Sequence, residues 1–204
     1  MTAPPGDAPP RRPRTTPRAL FRIAAGAAAC VLLTAHSPYR QWDVYRRTRL
    51  VIVASFDEVE AVRLGRRVAA VLARDVPRSR AMLSRARDKS DLFRLLASGQ
   101  LDVALVAEPD ASAAATGSRV VSNGGPLPLR ALAQLGPYLL VCRAEFPAAN
   151  AYQIAEALAE RWPELADPAT GALAGPRPAG SPRVALHPGA RAYYEDHPAR
   201  PAVR

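Results

Sequence analysis

Residues 98–106, Ser-Gly-Gln-Leu-Asp-Val-Ala-Leu-Val, constrain the fold more than any other stretch. Gly99 is placed to end a helix in the left-handed conformation, and an apolar strand begins at once. A matching run, Leu-Val-Ile-Val-Ala, occupies residues 50–54. Neither run alternates polar with apolar residues, so both fit strands buried on two faces, as in a parallel sheet covered by helices. The later strand breaks at Glu108-Pro109-Asp110. In an α/β lobe, small ligands bind in the crevice beyond the carboxyl ends of the strands.

The chain between these runs supports such a lobe. Asp57 followed by Glu60 reads as a capping-box helix start, and Val62, Val68, Val71 and Leu72 share one face of a helix running to about Arg74. Residues 79–86 alternate weakly and are expected to form a second strand. A short helix follows, carrying Leu92, Leu95 and Leu96, with Ser90 as the expected N-cap. The order β-α-β-α-β over residues 50–107 argues for a parallel sheet with crossover helices. Residues 108–128 read as a long loop holding one helical turn at 111–115. Leu129–Leu135 and Tyr138–Arg143, around Gly136-Pro137, are two short strands or one kinked strand. Asn150 is expected to open a last helix with Ala151, Ile154, Ala155 and Leu158 as its stripe, ended by Trp162-Pro163.

The flanks differ in kind. Residues 1–18 are rich in Pro, Arg and Thr and are expected to be disordered. Residues 19–36 form an apolar, Ala-rich stretch with basic residues before it. It is read as an uncleaved signal anchor or transmembrane segment, and a soluble Ala-rich helix is the alternative. Residues 37–49, with Tyr39, Trp42 and Tyr45, form a juxtamembrane linker suited to a membrane interface. Residues 50–165 make the α/β lobe, 166–183 a Pro/Gly-rich loop, and 184–204 a C-terminal segment and tail.

Composition narrows the function classes. The net charge is +10, carried by arginine except for Lys89. No basic run is interleaved with aromatics, so nucleic acid is not an expected partner. Two cysteines, Cys30 and Cys142, have no metal-ligand spacing, and Cys142 reads as a small core residue. No metal or cofactor is expected.

Candidate ligand-binding residues are Ser55, Lys89, Ser90, Glu108, Arg130 and His187. Ser55 ends a strand beside a helix start, where free N–H groups favour an anion; it also reads as a capping serine. Lys89 and Ser90 at the next helix start could clamp a carboxylate, against the simpler reading of an N-cap. Glu108 and Asp110 could be an acid pair, although Pro109 makes a turn sufficient explanation. Arg130 could grip a carboxylate bidentately or lie on the surface. His187, before Pro188-Gly189, could touch a ligand or hydrogen-bond its own turn. Nothing else required for catalysis accompanies these groups.

Several of these pieces resemble one family, the TAXI-type extracytoplasmic solute receptors of TRAP transporters, a branch of the type II periplasmic binding fold. The matching pieces are residues 50–57, Leu64-Gly65, Ser90, residues 98–106, Leu129-Arg130-Ala131-Leu132 leading into Tyr138–Arg143, and His187-Pro188-Gly189-Ala190 before Tyr193-Tyr194. The resemblance covers roughly residues 50–194. It implies a mostly parallel sheet flanked by helices, no catalysis, and a small organic anion or amino acid held between two lobes. Only six residues, 144–149, separate the last strand from the last long helix, so the chain has one lobe's worth of sequence. The expectation is a membrane-anchored, extracytoplasmic single lobe on the bacterial inner membrane, with the domain facing the periplasm. It would serve TRAP-type uptake or sensing, its site completed by a transporter subunit or by self-association. Two alternatives stay open: an interaction or regulatory module that has lost ligand binding, and a cytoplasmic ligand-sensing domain.

Overall fold

The computed structural model describes residues 49–117, 125–165 and 183–198. The expectations for 1–18, for 19–36 and for most of 37–49 and 166–183 lie outside the described residues. The elements in chain order are β1 (Val51–Ser55), α1 (Val59–Asp75), β2 (Met82–Ala86), α2 (Lys89–Ala97), β3 (Val103–Ala107), α3 (Glu108–Thr116), β4 (Leu129–Leu135), β5 (Tyr138–Arg143), α4 (Ala148–Glu160), the short α5 (Trp162–Leu165) and α6 (Pro188–Asp196).

The strands form one five-stranded sheet in the order β2-β1-β3-β5-β4. β1 pairs in parallel with β2 and β3, whereas β5 runs antiparallel to both β3 and β4. The sheet is therefore mixed: β1, β2, β3 and β4 run one way, as a mostly parallel sheet requires, and β5 alone runs against its neighbours. The cause is the Gly136-Pro137 turn. Gly136 adopts a φ of 64°, which a tight hairpin turn requires and a side chain resists. The chain thus reverses at once instead of crossing over through a helix.

Both faces of the sheet are covered, as the unbroken apolar runs demand. Ile52, Leu105, Leu140 and Cys142 turn toward α1, α4 and α6, where Leu72, Ile154, Leu158 and Tyr193 complete one core. Val53, Val106 and Val141 face the other way and meet Leu92, Phe93 and Leu96 of α2 and Ala111 and Ala114 of α3. The alternation along each strand divides its residues between the two cores.

Several local expectations are corrected. Glu108-Pro109-Asp110 opens α3 rather than making a turn. Proline is tolerated in a first helical turn, two carboxylates there suit the helix dipole, and the following alanines favour helix. Gly117 ends α3 at a φ of 77°. The capping box at Asp57 does not form: Glu58 is the N-cap of α1, without a side-chain cap. Asp88, not Ser90, caps α2, its carboxylate accepting from the Asp91 N–H at 2.7 Å. β2 is shorter than residues 79–86, because Pro77–Ser79 forms a 3-10 turn first. α4 begins at Ala148 rather than Asn150.

The C-terminal segment is part of the same domain. Ala131 N–H donates to Ala185 O at 2.9 Å, and His187 N–H donates to Ala131 O at 2.8 Å, so residues 184–187 lie along the free side of β4. α6 then packs on α4 at Gly189. A methyl group on Gly189 would collide with the backbone carbonyl of Ala148.

Candidate functional site

The order β2-β1-β3 creates a topological switch point. The chain leaves β1 toward β2 on one side, and β3 lies on the other, so the crevice at the carboxyl ends of β1 and β3 is where an α/β fold offers a ligand site. Four of the six candidates converge there. Ser55 ends β1, Lys89 and Ser90 open α2 after β2, and Glu108 opens α3 after β3. Arg130 and His187 do not join them. Arg130 pairs with Cys142, which pairs with Val103 at the start of β3; these residues lie at the opposite end of the sheet from Ala107, Tyr138 and Leu135.

At the switch point Lys89 and Ser55 are committed to neighbouring carboxylates. Lys89 Nζ is 2.7 Å from Glu58 Oε1 and 2.6 Å from Asp110 Oδ2. One ammonium thus ties together the starts of α1, α2 and α3. Its hydrogen bonds to Asp110 and Glu58 raise the lysine pKa well above its ordinary value, so it is a fixed cation and neither a base nor a nucleophile at neutral pH. Ser55 is buried, and its hydroxyl donates to the Asp57 carboxylate. Ser90 is exposed on the first turn of α2. Glu108 is half-buried, and its backbone N–H donates to Pro137 O at 3.0 Å, which brings the β4–β5 turn over the end of β3.

The helix starts are electrostatically filled as well. Glu60 lies in the first turn of α1, Asp91 in that of α2, and Glu108 and Asp110 in that of α3. A helix N-terminus attracts anions through its free N–H groups and dipole. Here the protein's own carboxylates meet that demand. The Asp91 N–H bond holds the Asp88 carboxyl below the usual range, and the Arg94 guanidinium does the same for Asp91.

His187 is a structural histidine. It is 2% exposed. Its Nε2 lies 2.9 Å from Phe146 O, and its Nδ1 accepts from the Gly189 N–H at 3.2 Å. These contacts select the neutral tautomer protonated on Nε2, and burial pushes the histidine pKa down, with Arg130 adding to the effect. Cys142 is likewise inert: burial pushes its thiol pKa up, which keeps the thiolate form scarce. Among the described residues no group of His, Cys, Asp and Glu is arranged to hold a metal ion.

The partnership of Lys89 with Glu58 and Asp110 was not apparent from sequence reasoning. The available signal was Lys89 itself, the lone lysine of an arginine-rich chain, placed at a helix start. Three cavities among the described residues lie away from the crevice. One of about 510 Å³ is bordered by Leu50, Asp102, Phe146 and Asn150, one of about 360 Å³ by Asp75 and Gln153, and one of about 350 Å³ by Arg66 and Arg85.

The described residues form one α/β domain with a mixed sheet, and at the ends of β1 and β3 Lys89 is paired with Glu58 and Asp110. Comparison with known proteins finds no family model and no curated protein sequence that matches the chain. Among the described residues no helix is long and apolar enough to cross a membrane.

Proposed function

We propose that this chain is a noncatalytic interaction module built on a single solute-receptor-like lobe that has lost small-ligand binding. The observation that carries the reading is the Lys89 bridge from Glu58 to Asp110 across the switch point. A tight small-molecule site keeps a few polar groups free for its ligand and buries most of the ligand's surface. Here Lys89 is taken by two carboxylates, Ser55 by Asp57, and the Glu108 N–H by Pro137. The β-α-β-α-β run and the direct return from β4 into β5 and α4 support a shortened type II lobe. Noncatalytic action is favoured because both ring nitrogens of His187 are engaged by Phe146 and Gly189, and burial keeps the Cys142 thiol protonated.

Anchoring through residues 19–36, with the domain on the periplasmic side of the inner membrane, belongs to the same proposal and rests on the sequence. A fusion of residues 1–49 to a reporter active only after export tests it. Reporter activity supports the anchor; its absence overturns the extracytoplasmic placement.

A second reading has one specific support. Ser55, Lys89, Ser90 and Glu108 do meet at a switch point, where a receptor in TRAP-type uptake would hold a small organic anion or amino acid. In that reading a transporter subunit or a second copy supplies the other half of the site. Thermal shift of the purified chain with carboxylates and amino acids separates the two readings. A saturable shift favours the receptor, and no shift favours the module.

A further inference from the structure

The two edges of the sheet are treated differently. β4 is covered by residues 184–187. β2 pairs only with β1, and no described residue lies along its other side. Met82 N–H donates to Leu50 O at 3.0 Å, and Ala86 O accepts from the Phe56 N–H at 2.9 Å. The backbone groups of Met82 and Ala86 therefore point into the sheet. By strand alternation those of Leu83 and Arg85 point outward. Such an edge is a template for another strand.

Its surroundings select what can bind. On the α1 side a cavity of about 350 Å³ is lined by Arg66, Ala69, Leu83 and Arg85, two apolar side chains and two arginines. Arg66, Arg80, Arg85 and Arg87 are all exposed. Arg87 pairs with Asp88, and Arg85 lies 5.4 Å over the ring of Phe56, itself 61% exposed. Among the described residues Arg66 and Arg80 have no ion pair.

We propose that the β2 edge accepts an extended acidic segment of a partner protein as a sixth strand. Its backbone would pair with Leu83 and Arg85, and its alternate side chains would place carboxylates against Arg66 and Arg85. A second copy of this chain fits less well. Antiparallel pairing about Ser84 would set Arg85 opposite Leu83 of the other copy and gather the arginines of both copies at diagonal positions around one axis, where like charges repel. A lipid headgroup or another polyanion would answer the arginines but leave the outward N–H and C=O groups of Leu83 and Arg85 without partners. The inference rests on the reading of the chain as an interaction module and names the surface used.

The test is fluorescence anisotropy of the purified chain with short peptides alternating glutamate with valine, isoleucine or threonine. The controls are lysine-for-glutamate versions and versions N-methylated at alternate residues. The expected result is saturable binding of acidic peptides, weakened at least about tenfold by Arg66→Glu with Arg85→Glu and by N-methylation. Both substitutions are on exposed side chains, and circular dichroism confirms that the variant is folded. Three outcomes overturn the proposal: equal binding of lysine peptides, binding indifferent to N-methylation (an electrostatic surface for lipid or polyanion), or no binding by any acidic peptide. Dimerisation abolished by the double substitution would also overturn it in favour of a second copy. Absence of peptide binding leaves the closed crevice untouched, whereas a saturable shift with a small carboxylate contradicts the closed crevice and not the strand edge.

Discussion

Lys89 Nζ lies 2.6 Å from Asp110 Oδ2, joining the first turn of α2 to the first turn of α3 across the end of β1. The Lys89 side chain is 42% exposed, so solvent screens much of the attraction. Replacing it with methionine is expected to cost only about 0.5 kcal/mol in urea denaturation. The pH dependence carries the clearer signature. Because the folded lysine pKa is raised, the stabilisation is full below its ordinary value of 10.5 and is lost as the pH rises above that. Wild type and Lys89→Met should therefore converge in stability in strongly alkaline solution.

His187 predicts the opposite pH edge. Its folded pKa is lowered from 6.5 by burial, so it is neutral in the fold and takes up a proton on unfolding. Its contribution is present above 6.5 and is lost as the pH falls below it. A protonated Nδ1 would also face the Gly189 N–H, donor against donor. His187→Gln should flatten the mildly acidic limb of the stability profile. His187→Ala should cost about 2–3 kcal/mol at neutral pH, since the Phe146 carbonyl loses its partner and α6 loses its cap.

Gly189→Ala should be among the more damaging single substitutions. The added methyl meets the backbone of Ala148, not the end of a flexible side chain. α6 would have to lift from α4, at a cost of about 2–3 kcal/mol, read as a lowered urea midpoint. Gly65→Ala should cost less, because the nearest atom there is the Leu83 side chain at 2.7 Å, which can rotate.

The fold was largely legible in the sequence, and the site much less so. Unbroken apolar runs at 50–54 and 103–107 can satisfy themselves only between two helical layers, and that is where β1 and β3 lie. Gly99 and its positive φ marked the end of α2. The misreadings share a physical cause: short polar residues next to a helix start are interchangeable in sequence. Asp57 looked like a cap and instead accepts from Ser55; Ser90 looked like a cap and Asp88 does the work. Pro109 looked like a chain break, although a first turn tolerates proline. The sequence separates Lys89 from Asp110 by twenty-one residues, and only the strand order 2-1-3 brings their helices together.

The exchanged caps give a direct comparison. Asp88→Ala should lower the thermal midpoint, because it frees the Asp91 N–H. Ser90→Ala should leave the midpoint unchanged, since that side chain is exposed on the surface of α2.

The central claim is that the crevice at the ends of β1 and β3 is closed by Lys89, Glu58 and Asp110. The most direct measurement is the thermal midpoint of the purified chain against a concentration series of small carboxylates and amino acids. A ligand at a hundred times its Kd adds about 2.7 kcal/mol to stability. The prediction is no saturable rise with any compound. A saturable rise that disappears in Lys89→Met would contradict it.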